Sequence, residues 1–339
     1  MKPSNALIIQ SGGSTSVINR SLAGILTESL KLRSFSKIYG AIQGTNGLLK
    51  RNITDLSNIS SSDISLIAAT PGAALGSSRY KITGSDACDI LNVLSDFQIA
   101  YLFIIGGNDS AANVKELGRL SKLNGYNLQV IHVPKTIDND LVGTDHSPGF
   151  GSTARFISLA TMGAGKDAQT MGESAPITII EVMGRDSGWL AASSSLGKNN
   201  YQEPPHIVCV PEHITDYGDF VNQLENARRE FGYAIAVVAE NSRDTNGIIG
   251  SHEKVLHEDQ FGHKYFEGAG YYLSKFAESQ LKVRVRYEKP GTIQRSMVSC
   301  ISSIDASEAQ MVGTKAVQYA VEGATEVMIA IKRDEIASA

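Results

Sequence analysis

Cysteine is scarce in this chain: Cys88, Cys209 and Cys300 are spread over 339 residues with no CxxC spacing. That pattern excludes a disulfide framework and suits buried thiols in a reducing compartment. An excess of charge of one sign is also absent. Thirty-one Lys and Arg against 35 Asp and Glu leave a net charge of −4, so no global basic field is present to recruit nucleic acid. No apolar run approaches the ~18 residues needed to span a bilayer. Heptads, low-complexity tracts and sequence repeats are missing too. The first five residues lead straight into an apolar strand without a signal-peptide hydrophobic region, so a cytoplasmic location is expected. What remains, 42% hydrophobic and 19% charged, is ordinary globular composition. At this length the chain is expected to form two domains or one large α/β domain.

The informative pattern is a series of short apolar runs that end in polar, glycine-rich loops. Leu128–Val133 is such a run, and it delivers Val133-Pro134-Lys135-Thr136-Ile137-Asp138-Asn139-Asp140. A lysine and two carboxylates at a strand end are costly to desolvate unless a polyanion, a metal or water meets them. As chemistry they offer a cation, a base and a metal ligand together, which is the set phosphoryl transfer requires.

Earlier, Ala6–Ile9 reads as a buried strand, followed by Ser11-Gly12-Gly13 and a helix with Val17, Ile18, Leu22, Ile25 and Leu26 on its apolar face. That geometry can turn backbone N–H groups towards a phosphate, yet it matches neither GxGxxG nor GxxxxGK[ST], and glycines also serve merely to turn. Lys37–Ile42 is a second strand. Residues 60–90 read as short polar segments around Pro71 to Tyr80, where Arg79 suits either an anion or the solvated surface. Helix 86–97 leads to strand Ala100–Ile105 and then Gly106-Gly107-Asn108-Asp109-Ser110, before a helix starting near Ala111. Asn108 and Asp109 suit a cation or its waters; helix capping accounts for one of them but not both. Repeated strand–loop–helix units with polar loops at strand C-termini imply an open, mostly parallel sheet with ligands along that edge.

A second set begins after Pro148–Ser152, with helix 152–163 and strands at Ile177–Val182, Ile207–Val210 and Ala234–Ala239. The first ends in Met183-Gly184-Arg185 and the third in Glu240. Residues 243–265 read as a flexible loop whose His252, His257 and His263 lack helical metal-ligand spacing and are expected on the surface. Lys282–Tyr287 alternates as a strand, with Thr292-Ile293-Gln294-Arg295 after it, then a helix over 305–322 and a last strand Glu326–Ile331.

Taken in order and spacing, Ser11-Gly12-Gly13, Leu75 to Tyr80, Gly106 to Ser110, Pro134 to Asp140, Met183-Gly184-Arg185, Glu240 and Ile293-Gln294-Arg295 resemble the phosphofructokinase family over nearly the whole chain. The resemblance implies two similar α/β domains, with mostly parallel sheets flanked by helices and the active site in the cleft between them. The donor domain is expected over 1–149 plus about 294–322, and the sugar-phosphate domain over 150–293 plus about 323–339. The reaction implied is phosphoryl transfer to the 1-hydroxyl of fructose 6-phosphate with Mg²⁺. Asp138 is then the base, Thr136 contacts the sugar, and Asp140 orients the loop or a water on the metal. Arg185, with Met183 and Gly184 beside it, meets the transferring phosphoryl, and Glu240 the sugar hydroxyls. Arg286, Thr292 and Arg295 line the 6-phosphate side. Gly12, Gly13, Arg79 and Ser110 hold the donor, while Asn108 and Asp109 hold the metal.

Donor identity turns on two positions. Members of the family that use ATP usually carry glycine where this chain has Asp109 and Lys135; members that use pyrophosphate carry aspartate and lysine there. The aspartate penalises a nucleotide by bulk and repulsion, and the lysine attracts a compact pyrophosphate. Pyrophosphate is therefore the expected donor, with an ATP-dependent enzyme as the alternative. Three departures stand out. Asn108 replaces a metal-associated aspartate of many relatives, although one pyrophosphate-type branch also reads Gly-Gly-Asn-Asp-Ser. Pro176 and Thr292 fall where ATP-type bacterial members have an arginine and a histidine for the sugar phosphate. Another ketose phosphate, such as sedoheptulose 7-phosphate, stays open as acceptor, as does a non-catalytic sugar-phosphate-binding paralogue. A dinucleotide oxidoreductase is excluded for want of its glycine fingerprint. The family also implies a homodimer or homotetramer, and no nucleic-acid or membrane partner.

Overall fold

The computed structural model describes residues 4–251, 257–258, 264–265 and 267–333. The chain runs β1 (Asn5–Gln10), α1 (Ile18–Leu32), β2 (Ile38–Ala41), α2 (Gly44–Leu49), β3 (Ile53–Asp55), α3 (Ser61–Ala69) and α4 (Ala87–Asp96). It continues through β4 (Ile99–Gly106), α5 (Asn108–Leu123), β5 (Gln129–Pro134), α6 (Phe150–Met171), β6 (Ile177–Val182), α7 (Trp189–Ser193), β7 (Ile207–Cys209), α8 (Tyr217–Phe231) and β8 (Ala234–Ala239). The two-residue strands β9 (Arg243–Asp244), β10 (Gly247–Ile248), β11 (His257–Glu258) and β12 (Lys264–Tyr265) follow. Last come α9 (Ala269–Leu281), β13 (Val285–Glu288), α10 (Ile293–Ser296), α11 (Ser303–Val321) and β14 (Val327–Met328).

Two compact units result: Met1–Ser152 with Ile301–Ala339, and Thr153–Cys300. The first holds a six-stranded sheet in the order β14-β5-β4-β1-β2-β3, parallel except for the β2–β3 pair. Period-two alternation puts successive residues of β1 on opposite faces. Ala6 and Ile8 pack with Leu22, Leu26, Val312 and Val317 of α1 and α11; Leu7 and Ile9 pack with Ile90, Leu94 and Leu117 of α4 and α5. Each such buried Leu or Ile contributes roughly 1.5–3 kcal/mol. Both faces are covered, so the central strands read as continuous apolar runs. Helices α1 and α11 approach closely because glycines meet there: a Cβ on Gly24 would collide with the Gln310 carbonyl, and one on Gly313 with that of Ser21.

Connections fix where this unit can bind. From β1 the chain crosses through α1 to β2 on one side; from β4 it crosses through α5 to β5 on the other. The crossovers diverge between β1 and β4, opening a crevice at their C-terminal ends. Ser11-Gly12-Gly13 and Gly107-Asn108-Asp109 leave those two strands. The second unit is a parallel sheet in the order β13-β6-β8-β7, its core built from Ile177, Ile179, Ala236 and Val238 against Phe220, Leu224 and Leu273.

Several expectations change. Strand β14 pairs with β5, so the segment from 323 lies in the first unit rather than the second, and the division after α10 falls at Cys300–Ile301. Residues 60–90 contain helix α3, whose N-cap Ser60 accepts from the Asp63 amide at 3.0 Å. Its residues are mostly exposed, so the amphipathic signal was weak. Helix α6 runs eight residues beyond the expected 163. The final strand is only Val327–Met328, and Ile331 forms an isolated bridge with His146. In 243–265 the chain forms short antiparallel pairs, β9–β10 and β11–β12. His252 and His263 lie outside the described residues, and His257 is in β11.

Candidate active site

In the first unit, three strand-end loops are stitched together. The Gly12 N–H donates to the Ser78 carbonyl at 3.0 Å, and Ser77 Oγ donates to the Gly12 carbonyl at 2.7 Å. The segment before Arg79 thus lies along the loop after β1, and Arg79 is half-buried beside it. Gly12 has φ +78°, and a Cβ there would stand 3.2 Å from Lys135 Nζ. The left-handed φ is what favours glycine, and a Cβ would in addition press on the ammonium.

Lys135 is only 3% exposed, and its ammonium donates to the Gly13 carbonyl at 2.8 Å. A buried ammonium on a backbone carbonyl keeps a charge in this crevice that water does not screen. Beneath it His132 is buried in β5, with Nε2 2.8 Å from the Gly106 carbonyl. Burial first, then the Lys135 charge, push its pKa down to about 4, so the ring is neutral near pH 7 and donates to that carbonyl. The same carbonyl accepts from the Lys135 amide at 2.9 Å. The turn at Gly106-Gly107 is thereby pinned to β5.

Helix α5 begins at Asn108, three residues earlier than the expected start near Ala111, with Gly107 as N-cap. Asn108 and Asp109 therefore occupy the first helical turn, and neither is the cap residue. Both are exposed, while Ser110 is buried. Asn108 Nδ2 donates to Asp140 Oδ2 at 2.6 Å, joining the loops after β4 and β5. Asp138 is half-buried, and its amide donates to Thr136 Oγ1 at 3.1 Å. The Thr136 amide in turn donates to the Pro148 carbonyl at 3.2 Å, and Gly149 N–H to buried Asp305 at 2.8 Å.

In the second unit the C-terminal ends of β6 and β8 are neighbours. The Glu240 amide donates to the Val182 carbonyl at 2.9 Å, and the Arg185 amide to Glu240 Oε1 at 3.3 Å. Arg185 has φ +48°, a left-handed backbone that this carboxylate contact helps to hold. Burial pushes the Glu240 carboxyl up, and the neighbouring Glu181 charge adds to it. Glu181 is itself buried, accepting from the Gly270 amide at 2.9 Å and Tyr287 hydroxyl at 3.0 Å, with Lys289 Nζ at 2.8 Å. Gln294 Oε1 accepts from the Met183 amide at 3.3 Å, bringing α10 to this same strand end. Thr292 is the exposed N-cap of α10, and Arg295 lies within it.

The family model for phosphofructokinase matches residues 5–320. The chain belongs to the phosphofructokinase family. A pyrophosphate–fructose 6-phosphate 1-phosphotransferase of Rhodospirillum rubrum is 38% identical over 96% of this chain and 82% of its own length. A sulfofructose kinase of Alkalicoccus urumqiensis is 30% identical, over 96% of this chain and 83% of its own. The crystal structure of a pyrophosphate-dependent phosphofructokinase from Marinobacter aquaeolei superposes with a TM-score of 0.87 at 32% identity, covering 98% of this chain and 79% of that one.

In this chain the structure brings Gly12, Gly13, Asn108, Asp109, Lys135, Thr136, Asp138 and Asp140 to one edge of the first sheet. Met183, Gly184, Arg185, Glu240, Thr292 and Arg295 gather at one end of the second. Two positions separate from them. Arg286 sits on β13 in register with Thr178, towards the start of β6, and ion-pairs with Asp167 of α6. Pro176 is buried just before β6, a strand's length from Arg185, where its carbonyl accepts from the Ala234 amide at 2.8 Å. The sequence does not single out His132, Glu181 and Asp305, and it marks Asn139 and Gln294 only as members of their motifs. The available signal was a polar residue interrupting an apolar strand, as in Val130-Ile131-His132-Val133 and Ile179-Ile180-Glu181-Val182.

Proposed function

We propose that this chain catalyses reversible phosphoryl transfer from pyrophosphate to the 1-hydroxyl of fructose 6-phosphate. The observation that carries the donor is the buried Lys135 ammonium on the Gly13 carbonyl, with Asp109 at the start of the neighbouring α5. A compact dianionic phosphate group needs that cation, whereas a nucleotide α-phosphate would meet the Asp109 carboxylate. Relatives carrying the pyrophosphate-dependent name, one of them 38% identical over 96% of this chain, support the same donor.

Asp138 takes the proton from the 1-hydroxyl as the sugar oxygen bonds to the terminal phosphorus and the bridging P–O bond breaks. The products are fructose 1,6-bisphosphate and orthophosphate; in reverse, Asp138 returns the proton. The Gly13 N–H, Ser110 and Arg79 hold the donor; the Gly12 N–H, expected to join them, is committed to the Ser78 carbonyl, and Gly12 serves by shaping the turn. Thr136 and Glu240 orient the sugar, Arg185 with Met183 and Gly184 stabilises charge on the transferring group, and Thr292 and Arg295 serve the 6-phosphate. Arg286 joins them only if it leaves Asp167. Mg²⁺ is assigned to Asn108, through its amide oxygen, and Asp109, with Asp140 alongside; so few exposed oxygen ligands suit a cation that shares its shell with phosphates and water. When bound, Mg²⁺ supplies charge neutralisation on the phosphates; Asn108 steadies Asp140 beside it.

Location and assembly are proposals of the same kind. Three unpaired cysteines, one of them exposed, suit a cytoplasmic location. Exposed Leu159, Met162 and Leu196 on the second unit suit a homodimer or homotetramer. Among the described residues, no helix is long and apolar enough to cross a membrane. The direct test is ³¹P NMR of enzyme with Mg²⁺, pyrophosphate and fructose 6-phosphate. Growth of bisphosphate and orthophosphate signals, approached from either side, supports the assignment. Intact pyrophosphate with active, folded enzyme on another ketose phosphate would reassign the acceptor.

A further inference from the structure

Asn139 separates the two carboxylates of the loop after β5, and its backbone is left-handed, with φ +53°. Asparagine reaches this region more readily than other residues bearing a Cβ, because its short amide can bond nearby backbone. Here Oδ1 accepts from the Ser147 amide at 2.8 Å, and Nδ2 donates to the Asp145 carbonyl at 3.4 Å. Ser147 is fully buried, so its N–H would be left unsatisfied if that acceptor were removed.

The limb that receives Asn139 is itself anchored. The Asp145 amide donates to the Ile331 carbonyl at 2.8 Å, and the Ile331 amide to Thr144 Oγ1 at 2.9 Å. Gly149, a little further on, donates to Asp305. On the other side of the turn, Thr136 holds the Asp138 amide and Asn108 holds the Asp140 carboxylate. Both flanks are fixed, and residue 139 sets the angle between them.

We propose that Asn139 is the positioning residue for Asp138. Its left-handed backbone and its amide bond to Ser147 direct the Asp138 carboxylate one way and the Asp140 carboxylate the other, so that one serves the acceptor hydroxyl and the other the metal side. The inference rests on the reading of Asp138 as base.

Two substitutions separate backbone from side chain. Asn139→Gly tolerates the left-handed φ but lacks the amide; Asn139→Ala lacks the amide and resists that φ. In fructose 6-phosphate turnover with pyrophosphate, kcat is expected to fall roughly tenfold for Gly and about 10²-fold for Ala, the scale of a misplaced catalytic group. KM for fructose 6-phosphate should stay within about twofold, because the sugar contacts assigned to Thr136 and Glu240 have their own anchors at Pro148 and Val182. Wild-type kcat in both variants overturns the proposal. So does a parallel rise of KM for both substrates with the fall in kcat, the signature of general loosening. Asp138→Asn is run alongside: if it keeps turnover, the base reading fails and this inference with it. If it is inactive while the Asn139 variants are normal, only the positioning role fails.

Discussion

Asn108 Nδ2 donates to Asp140 Oδ2 across 2.6 Å, so the first turn of α5 and the loop after β5 are held together side chain to side chain. An amide at position 108 gives the Asp140 carboxylate a donor in place of a second negative charge. Asn108 is thus a built contact that ties the start of α5 to the loop after β5.

Asn108→Asp tests it. Two carboxylates would then face each other where a charge-assisted bond stood, a change of roughly 1.5–3 kcal/mol. The expected result is a rise of about tenfold in KM for pyrophosphate at low Mg²⁺, relieved as Mg²⁺ increases. Steady-state kinetics over a Mg²⁺ series measures this; an unchanged Mg²⁺ dependence counts against the contact's importance.

His132 predicts a pH effect on stability. Its pKa is pushed down to about 4 in the fold, against 6.5 for a solvated histidine, so the unfolded chain binds more protons between those values. Stability from this residue is complete above about pH 6.5 and is lost as pH falls towards 4. Between pH 7 and 5 the loss is about 2 kcal/mol. His132→Gln keeps a donor for the Gly106 carbonyl and does not titrate, so its denaturation midpoint should vary less over that range. Equal acid sensitivity in both proteins would contradict the buried neutral ring.

Glu240 should leave a mark on sugar binding. Burial and the Glu181 charge hold its carboxyl above the ordinary glutamate range. KM for fructose 6-phosphate is expected to show a titration above that range that disappears in Glu240→Gln, with KM raised and kcat affected less. A pH profile identical in the two proteins would remove Glu240 from the sugar contacts.

Much of this was legible in the amino-acid sequence, for a physical reason. Val130, Ile131 and Val133 are buried on both faces of a parallel sheet, so β5 announces itself as an apolar run and its end as a polar loop. Helix α3 was not legible, because only Ile64 of its residues is buried and no apolar stripe marks it. Asn139 was overlooked for a different reason. Its role lies in a left-handed φ and a bond to a residue eight positions on, neither of which composition or spacing records. Arg286 is expected from the resemblance on the 6-phosphate side, whereas in the fold Asp167 engages it from α6, a pairing between distant segments that spacing does not record.

The central claim is the donor, and the most direct measurement is fructose 6-phosphate turnover with Mg²⁺, run in parallel with pyrophosphate and with ATP. Wild-type enzyme and the double variant Asp109→Gly, Lys135→Gly are compared. The account predicts turnover of wild type with pyrophosphate alone, and loss of at least about 10²-fold in kcat/KM for pyrophosphate when both groups are removed. Turnover of wild type with ATP alone, or pyrophosphate use that survives intact in the double variant, would contradict it.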